Sequence, residues 1–133
     1  MNALKDWAVH FKHRFYIEIQ RVAEGEDKKN ETRFINQSLI LAQTLEIPVV
    51  ATQPIQFMDS EDYRAHEART CIAEGYIMAD SRRPKLFSHE QYFKNETEME
   101  ALFSDIPEAL QNSVEIAKRC NFEFTLGKNY LPD

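Results

Sequence analysis

The sequence predicts an α/β fold, in which helices cover a sheet of parallel strands. Residues 14–20 (RFYIEIQ) alternate apolar and polar side chains with a period of two, which is typical of a strand. Residues 49–52 (VVAT) form a second, short apolar run, and the segment 26–45 between them has apolar residues at helical spacing. A strand, a helix and another strand in this order favour a βαβ unit.

A helix is expected before the first strand, at residues 3–12, where Leu4, Trp7 and Phe11 recur at helical spacing. The helix at 26–45 is expected to turn one face toward the sheet. That face consists of Phe34, Ile35, Ser38, Leu39, Ala42 and Leu45. Pro48 then interrupts the helical pattern just before the second strand.

The second half of the chain is predicted to be mainly helical. The acidic run 59–62 is a typical helix start, and we expect this helix to continue over 63–74 and to end at Gly75. Residues 76–88, which include Pro84, are expected to form an irregular connector.

Three more helices and a strand are predicted after the connector. Ser88 with Gln91 and Asn95 with Glu98 match the capping-box pattern, which predicts short helices at 89–93 and 96–104. Pro107 predicts the first turn of a long helix that ends near Cys120. The apolar face of this helix is expected to consist of Ala109, Leu110, Val114 and Ala117. Residues 122–126 (FEFTL) are predicted to form a final strand.

Composition and charge exclude several classes of function. The chain has 133 residues, enough for one domain, and a formal net charge of −6. This charge argues against a stand-alone nucleic-acid-binding module, which needs a basic face. Cys71 and Cys120 lie far apart without metal-ligand spacing, and no apolar run is long enough to span a bilayer. We therefore expect a cytoplasmic protein with reduced thiols.

The two ends of the chain predict a piece of a longer polypeptide. The helical pattern begins almost at the first residue, with no segment leading into it. The chain stops in the apolar, extended stretch 130–133 (YLPD).

Few residues are candidates for chemistry. His10 and His13 could both reach one metal ion, but two ligands without a third carboxylate or thiolate are weak support for a site. His66 and Glu67 lack the second histidine of a zinc-protease helix, which favours a packed polar pair. The acidic run 59–62 could bind a cation, although a helix start explains it equally well. The residues alone therefore predict a non-catalytic α/β fragment.

Two long stretches resemble a known family. Residues 49–75 (VVATQPIQFMDSEDYRAHEARTCIAEG) and the pattern F-x-D-x-P-E-A-L-x-N-x-x-E-I-A-x-R-C at 103–120 are similar to the PHP domain of the alpha subunit of bacterial DNA polymerase III, the family C replicative polymerase. The resemblance covers nearly the whole chain and concerns the C-terminal part of that domain. It implies the last βα units of a distorted PHP-type β/α barrel at 1–75. A mainly helical connector and a final strand would follow at 76–133 and lead toward the polymerase palm.

The resemblance also implies the loss of a metal site. Metal-binding members of the superfamily have an Asp-x-His pair after the strand that corresponds to 49–52, and the matching positions here are Pro54 and Gln56. Proline offers no ligand atom, and a neutral amide is a poor ligand beside imidazole or carboxylate. We therefore expect no catalytic residue, metal ligand or cofactor-binding residue in this fragment, whereas the parent polymerase would use Mg²⁺.

The implied function is scaffolding of DNA-templated DNA synthesis within the parent enzyme, a DNA-directed DNA polymerase. The implied partners are the remainder of the alpha chain, the proofreading exonuclease subunit, the sliding clamp and, through the parent, DNA. Four aromatic residues are candidates for docking or for the core: Tyr16, Tyr63, Tyr76 and Phe87. Without the earlier βα units a sheet edge would be unpaired, so self-association of the isolated fragment is also expected.

Two alternatives stay open at this point. One is a free-standing PHP-family metal-dependent phosphoesterase, which would need a full set of histidine and aspartate ligands. The other is the PHP region of the related error-prone family C polymerase, which differs in its C-terminal extension.

Overall fold

The computed structural model describes residues 2–128, without the side chain of Asn2. The described residues form a mixed α/β structure of five α-helices and two β-strands. In chain order these are α1 (Asn2–His10), β1 (Ile17–Ile19), α2 (Asp27–Leu45), β2 (Val49–Ala51), α3 (Tyr63–Glu74), α4 (Glu96–Leu102) and α5 (Pro107–Arg119). A short 3₁₀ helix, Ser60–Asp62, leads into α3.

The two strands pair in parallel, and α2 connects them. Ile17 lies opposite Val49 and Ile19 lies opposite Ala51. The Ile17 amide donates to the Pro48 carbonyl at 2.9 Å. The predicted βαβ unit is therefore confirmed. β1 is shorter than the predicted strand 14–20, because only its central residues run beside β2.

The core lies between one face of the sheet, α2 and the start of α5. Its largest fully buried side chains are Ile19, which is 1% exposed, and Phe103, which is 0% exposed. The buried cluster consists of Ile19, Ile35, Ala51, Phe103, Ile106 and Ala109. Because side chains alternate across a strand, Glu18, Val50 and Thr52 lie on the opposite face of the sheet.

Helix α5 lies along the edge of β2 that β1 does not occupy. Asn112 Nδ2 donates to the Val49 carbonyl at 2.8 Å, and Ser113 Oγ donates to the Ala51 carbonyl at 2.7 Å. These carbonyls point away from β1, since alternate residues of a parallel strand bond to opposite neighbours. Side chains of α5 therefore take the place of a further strand at this edge.

This arrangement corrects the predicted apolar faces of the long helices. Val114 is 54% exposed and Ala117 is also exposed, whereas Asn112 and Ser113 are half-buried against β2. The helix faces an edge of polar backbone groups, and polar side chains satisfy those groups better than apolar ones do. On α2, Ile35, Ser38 and Ala42 are buried as predicted, but Phe34 is 64% exposed.

Local end signals placed most helix ends correctly. Gly75 ends α3 in the left-handed conformation, with φ +74°, and Pro107 occupies the first turn of α5. At α4 the Glu98 amide donates to Asn95 Oδ1 at 3.0 Å and the Asn95 amide donates to Glu98 Oε2 at 2.8 Å. The predicted capping box at Asn95 is confirmed.

Two predicted elements are wrong. Residues 89–93 are not helical: Gln91 Oε1 accepts from the Ser88 amide at 3.0 Å, but Tyr92 then forms a parallel bridge with Phe57. Residues 122–126 are not a strand, because no strand of the described chain runs beside them. The expected extended stretch 130–133 lies outside the described residues. None of the described helices is long and apolar enough to cross a bilayer.

Candidate functional site at the end of the sheet

The loop after β2 carries Pro54 and Gln56, the two positions where metal ligands were expected to be lost. The Pro54 carbonyl accepts from Gln91 Nε2 at 3.2 Å, and the Gln56 amide donates to the Gln91 carbonyl at 2.8 Å. Gln56 is exposed, and Pro54 is half-buried. Both residues are therefore held through their backbone by one distant residue, Gln91.

Gln53 extends this connection from the end of β2. Its Nε2 donates to the carbonyl of Glu90 and, at 3.5 Å, to the carbonyl of Tyr92. Its Oε1 is buried and has no hydrogen-bond partner in the part of the chain that the structure describes. The Phe93 amide then donates to the Phe57 carbonyl at 3.1 Å. The whole loop is thus fixed to residues 88–94 by amide and main-chain hydrogen bonds.

A second polar group lies on the sheet face opposite α2. Thr52 Oγ1 donates to Glu18 Oε1, and Gln20 Nε2 donates to both of these oxygens at 3.0 Å. The alternation in residues 14–20 predicted that Glu18 and Gln20 share a face, but nothing in the sequence indicated Thr52 as their partner. One carboxylate and one hydroxyl fall short of the three protein ligands that catalytic zinc usually has.

An ion pair joins the segment after β1 to the turn before α5. Arg21 donates from Nη1 and Nη2 to the two carboxylate oxygens of Asp105 at 2.7 and 2.8 Å. Its Nη1 also donates to the Leu102 carbonyl, and its guanidinium lies 5.0 Å from the centre of the Phe103 ring. The hydrogen bond with Asp105 raises the pKa of Arg21, and the same bond lowers the pKa of Asp105. Both groups are therefore charged at neutral pH.

Several residues of the pattern at 103–120 have structural partners inside the chain. Phe103 and Ala109 are fully buried, and Asp105 binds Arg21. Asn112 binds the edge of β2. At the far end, Arg119 Nη1 donates to the His13 carbonyl and to the Tyr16 hydroxyl, both at 3.0 Å. These contacts give the pattern a structural explanation that requires no ligand.

Known proteins are similar to nearly the whole of this chain. DNA polymerase III subunit alpha of Pseudomonas aeruginosa is 47% identical over 130 residues, which are 98% of this chain and 11% of that protein. The subunit of Neisseria meningitidis serogroup A is 49% identical over 130 residues, with the same two shares. That of Escherichia coli K12 is 43% identical over 123 residues, which are 92% of this chain and 10% of that protein.

The chain is homologous to a segment of DNA polymerase III subunit alpha. It spans about a tenth of the length of the curated relatives it matches. No family model matches the chain. The predicted relationship to the alpha subunit of DNA polymerase III is confirmed, and a free-standing phosphoesterase is not favoured by these relatives.

One histidine of the chain is buried and lies in an aromatic cluster. His66 is 6% exposed, and its ring lies 4.7 Å from that of Phe87 and 5.4 Å from that of Phe57. Burial lowers the pKa of His66, and the charge of Arg69 lowers it further. Its Nε2 is buried without a hydrogen-bond partner among the described residues. His66 is therefore neutral at physiological pH.

Glu67 does not pair with His66, contrary to the predicted packed pair. Its carboxylate binds Arg83 at 2.7 Å, and both side chains are largely buried. Burial opposes ionisation of Glu67, but the hydrogen bond and charge of Arg83 outweigh it and lower the pKa of Glu67. Arg83 lies in the connector after α3, so this ion pair fixes part of the connector to that helix.

The other histidines are more exposed. His10 and His13 are both exposed, and His13 has a left-handed backbone with φ +62°. His89 stacks on Tyr63 with ring centres 3.7 Å apart, and its Nδ1 lies 3.3 Å from Glu24. Within residues 2–128 no group of three or more histidine, cysteine, aspartate or glutamate side chains could hold a metal ion.

Three of the four candidate docking aromatics have partners inside the segment. Tyr63 donates from its hydroxyl to the Phe87 carbonyl at 3.2 Å, and Phe87 packs on His66. Tyr16 accepts from Arg119, as described above. Tyr76, which is 39% exposed, is the most accessible of the four.

Proposed function

We propose that this segment is a non-catalytic, structural part of a replicative DNA polymerase, namely the PHP region of the alpha subunit. In this role it scaffolds DNA-templated DNA synthesis by holding neighbouring parts of the parent chain and by docking partner subunits. The parent would be a DNA-directed DNA polymerase that uses Mg²⁺ in a palm outside these residues.

The observation that carries the proposal is the construction of the loop after β2. In a metal-binding PHP domain this loop supplies an aspartate and a histidine. Here its positions are Pro54 and Gln56, whose backbone groups bind Gln91, while Gln53 binds the carbonyls of Glu90 and Tyr92. A loop that is hydrogen-bonded through amides is suited to support rather than to metal chemistry.

The pattern at 103–120 supports the same role. Several of its residues bury their side chains or bind β2 and the segments on either side of β1. Residues that serve internal packing in this way are what a supporting structure requires. The barrel of the PHP family remains a prediction, in which the face with Glu18, Gln20 and Thr52 would line the interior and α2 would cover the outside.

The partners are those that the family resemblance implies, and like the barrel they remain predictions. We expect the remainder of the alpha chain, the proofreading exonuclease subunit, the sliding clamp and DNA, each reached through the parent protein. The name of the relatives, a polymerase subunit, supports an assembly of several chains.

The test uses the full-length polypeptide that contains this segment. Primer extension on a DNA template measures the parent activity, and elemental analysis for zinc and manganese measures transition-metal content. Release of p-nitrophenol from p-nitrophenyl phosphate measures phosphoesterase activity. We expect primer extension, no stoichiometric zinc or manganese, and no phosphoester turnover.

Gln56→Ala is the matched variant, because Gln56 is exposed and its backbone bond to Gln91 does not depend on the side chain. We expect this variant to keep all three results of the unmodified protein. The proposal would be contradicted if the unmodified protein bound zinc or manganese and hydrolysed the phosphoester, and if Gln56→Ala lost both the metal and the turnover.

A further inference from the structure

An apolar groove lies between α4 and α5, beside the end of β2. Its volume is about 540 Å³, and its walls include Met99, Phe103, Leu110 and Val114. Val114 is 54% exposed although it faces this groove. Phe103 is fully buried, but Val114 and parts of Met99 and Leu110 remain in contact with water. This contact is unfavourable unless another surface covers these side chains.

The α4 side of the groove carries two carboxylates. Glu96 and Glu100 line the groove, are exposed, and lie one helical turn apart. Neither forms an ion pair within the described residues. Like charges at this spacing destabilise a helix slightly, so a partner with positive charge would relieve the repulsion. On the α5 side, the polar side chains that line the groove are those of Gln111 and Ser113, and both are neutral.

We propose that this groove docks an amphipathic helix from elsewhere in the same polypeptide. That helix would place an apolar side chain between α4 and α5 and two lysine or arginine residues, one turn apart, against Glu96 and Glu100. The inference rests on the proposed function and deepens it, because it names the surface through which this segment would bind another part of its own polypeptide.

The shape and the charges of the groove favour a helix as the occupant. Two helices form its walls, and a third helix fits such a groove with side chains spaced three and four residues apart. Carboxylates one turn apart, about 6 Å along the axis of α4, match basic residues at the same spacing. Charge complementarity of this kind selects the partner and its orientation.

The length of the relatives favours an occupant from the same polypeptide. The chain spans 11% of the subunit it matches in Pseudomonas aeruginosa, so the matching segment of that relative lies within a far longer polypeptide. A tethered helix has an effective concentration in the millimolar range, which favours it over a free competitor of equal affinity.

Photo-cross-linking in the full-length polypeptide tests the proposal. A benzophenone side chain is introduced at Gln111, which is exposed and lines the groove. A second sample carries it at Gln43, an exposed residue of α2 that does not line the groove. We expect position 111 to cross-link a segment of the same polypeptide with two basic residues one turn apart, and position 43 not to capture that segment.

Charge reversal provides the second arm. The double variant Glu96→Lys and Glu100→Lys should lower the cross-link yield at position 111 roughly threefold to tenfold, because two attractive contacts become repulsive. Glu74→Lys, an exposed glutamate at the end of α3, should leave the yield unchanged. The double variant Glu96→Gln and Glu100→Gln should lower the cross-link yield by an intermediate amount. Because it removes the charges without reversing them, it serves as a check in case the lysine variant misfolds.

The outcomes separate the two proposals. Primer extension without a cross-link at position 111, or with cross-links only to other polypeptides, overturns the groove proposal and leaves the proposed function intact. A cross-link that is insensitive to all of the Glu96 and Glu100 variants also overturns it. A charge-sensitive cross-link in a polypeptide that cannot extend primers overturns the proposed function instead.

Discussion

Arg21 and Asp105, which are 84 residues apart in the sequence, form a two-pronged ion pair at 2.7 and 2.8 Å. The pair joins the segment that follows β1 to the turn before α5, so it links the βαβ unit to the helical second half. Arg21 is the better buried partner: its side chain is 21% exposed, and that of Asp105 is 61% exposed.

This asymmetry predicts unequal effects of substitution. Arg21→Ala should lower the free energy of unfolding by about 1–3 kcal/mol, because it also removes the bond to the Leu102 carbonyl and the contact with Phe103. Asp105→Ala should lower it by about 1 kcal/mol or less, because the pair is partly exposed to water. Urea unfolding of both single variants and the double variant measures the coupling. Additive effects would show that the two residues do not interact.

The edge of β2 predicts a second effect. Asn112→Ala and Ser113→Ala each remove a donor to a backbone carbonyl, which should cost about 0.5–1.5 kcal/mol per bond. The double variant should also self-associate more at equal concentration, since the freed carbonyls can accept from a strand of another copy. Sedimentation velocity and urea unfolding measure the two effects. Gln111→Ala, the exposed neighbour on α5, is the control and should change neither.

Phe103 and Phe34 should contribute very different amounts to the free energy of unfolding. Phe103 is fully buried, so Phe103→Ala should lower the free energy of unfolding by about 3–5 kcal/mol. Phe34 is 64% exposed on α2, and Phe34→Ala should change it by about 0.5 kcal/mol or less. Thermal or urea unfolding distinguishes the two. Similar losses at both positions would mean that Phe34 is covered in solution.

His66 predicts a dependence of stability on pH. Its pKa is lowered in the folded state, so the unfolded chain binds more protons than the folded chain below about pH 6.5. Stability from neutral His66 is therefore present above that pH and is lost as the pH falls toward the folded pKa. Charged groups near the ring include Arg69 on α3, whose positive charge acts in the same direction.

The measurement is the urea midpoint between about pH 7 and pH 5. The midpoint should fall toward pH 5 in the unmodified protein. His66→Phe, which keeps an aromatic ring beside Phe57 and Phe87, should show a smaller fall. His10→Gln, at an exposed position on α1, should keep the full fall. An unchanged pH dependence in His66→Phe would assign the effect to other groups.

The capping boxes show how far sequence patterns reach. Asn95 with Glu98 and Ser88 with Gln91 have equivalent patterns, yet only the first begins a helix. At the second, Gln91 still accepts from the Ser88 amide, but its backbone and amide also bind the loop after β2. The competing partners lie more than thirty residues away, so no local pattern could have indicated them.

The candidate site likewise has a part that the sequence predicted and a part that depends on distant partners. The resemblance led to Pro54 and Gln56 from the letters alone. The bonds of Gln53 to residues 90 and 92, and the network of Glu18, Gln20 and Thr52, could be seen only once the loop and strands were placed side by side.

The sequence by itself determined most helix ends, because these depend on groups within about one turn of each other. It also determined the succession of strand, helix and strand that favours a parallel βαβ unit, because hydrophobic periodicity distinguishes the two kinds of element. The tertiary structure decided that polar side chains of α5 cover the edge of β2, that Arg21 binds Asp105, and that residues 122–126 are not a strand. Each of these outcomes depends on which distant segment lies within hydrogen-bonding distance, and periodicity along the chain carries no information about that distance.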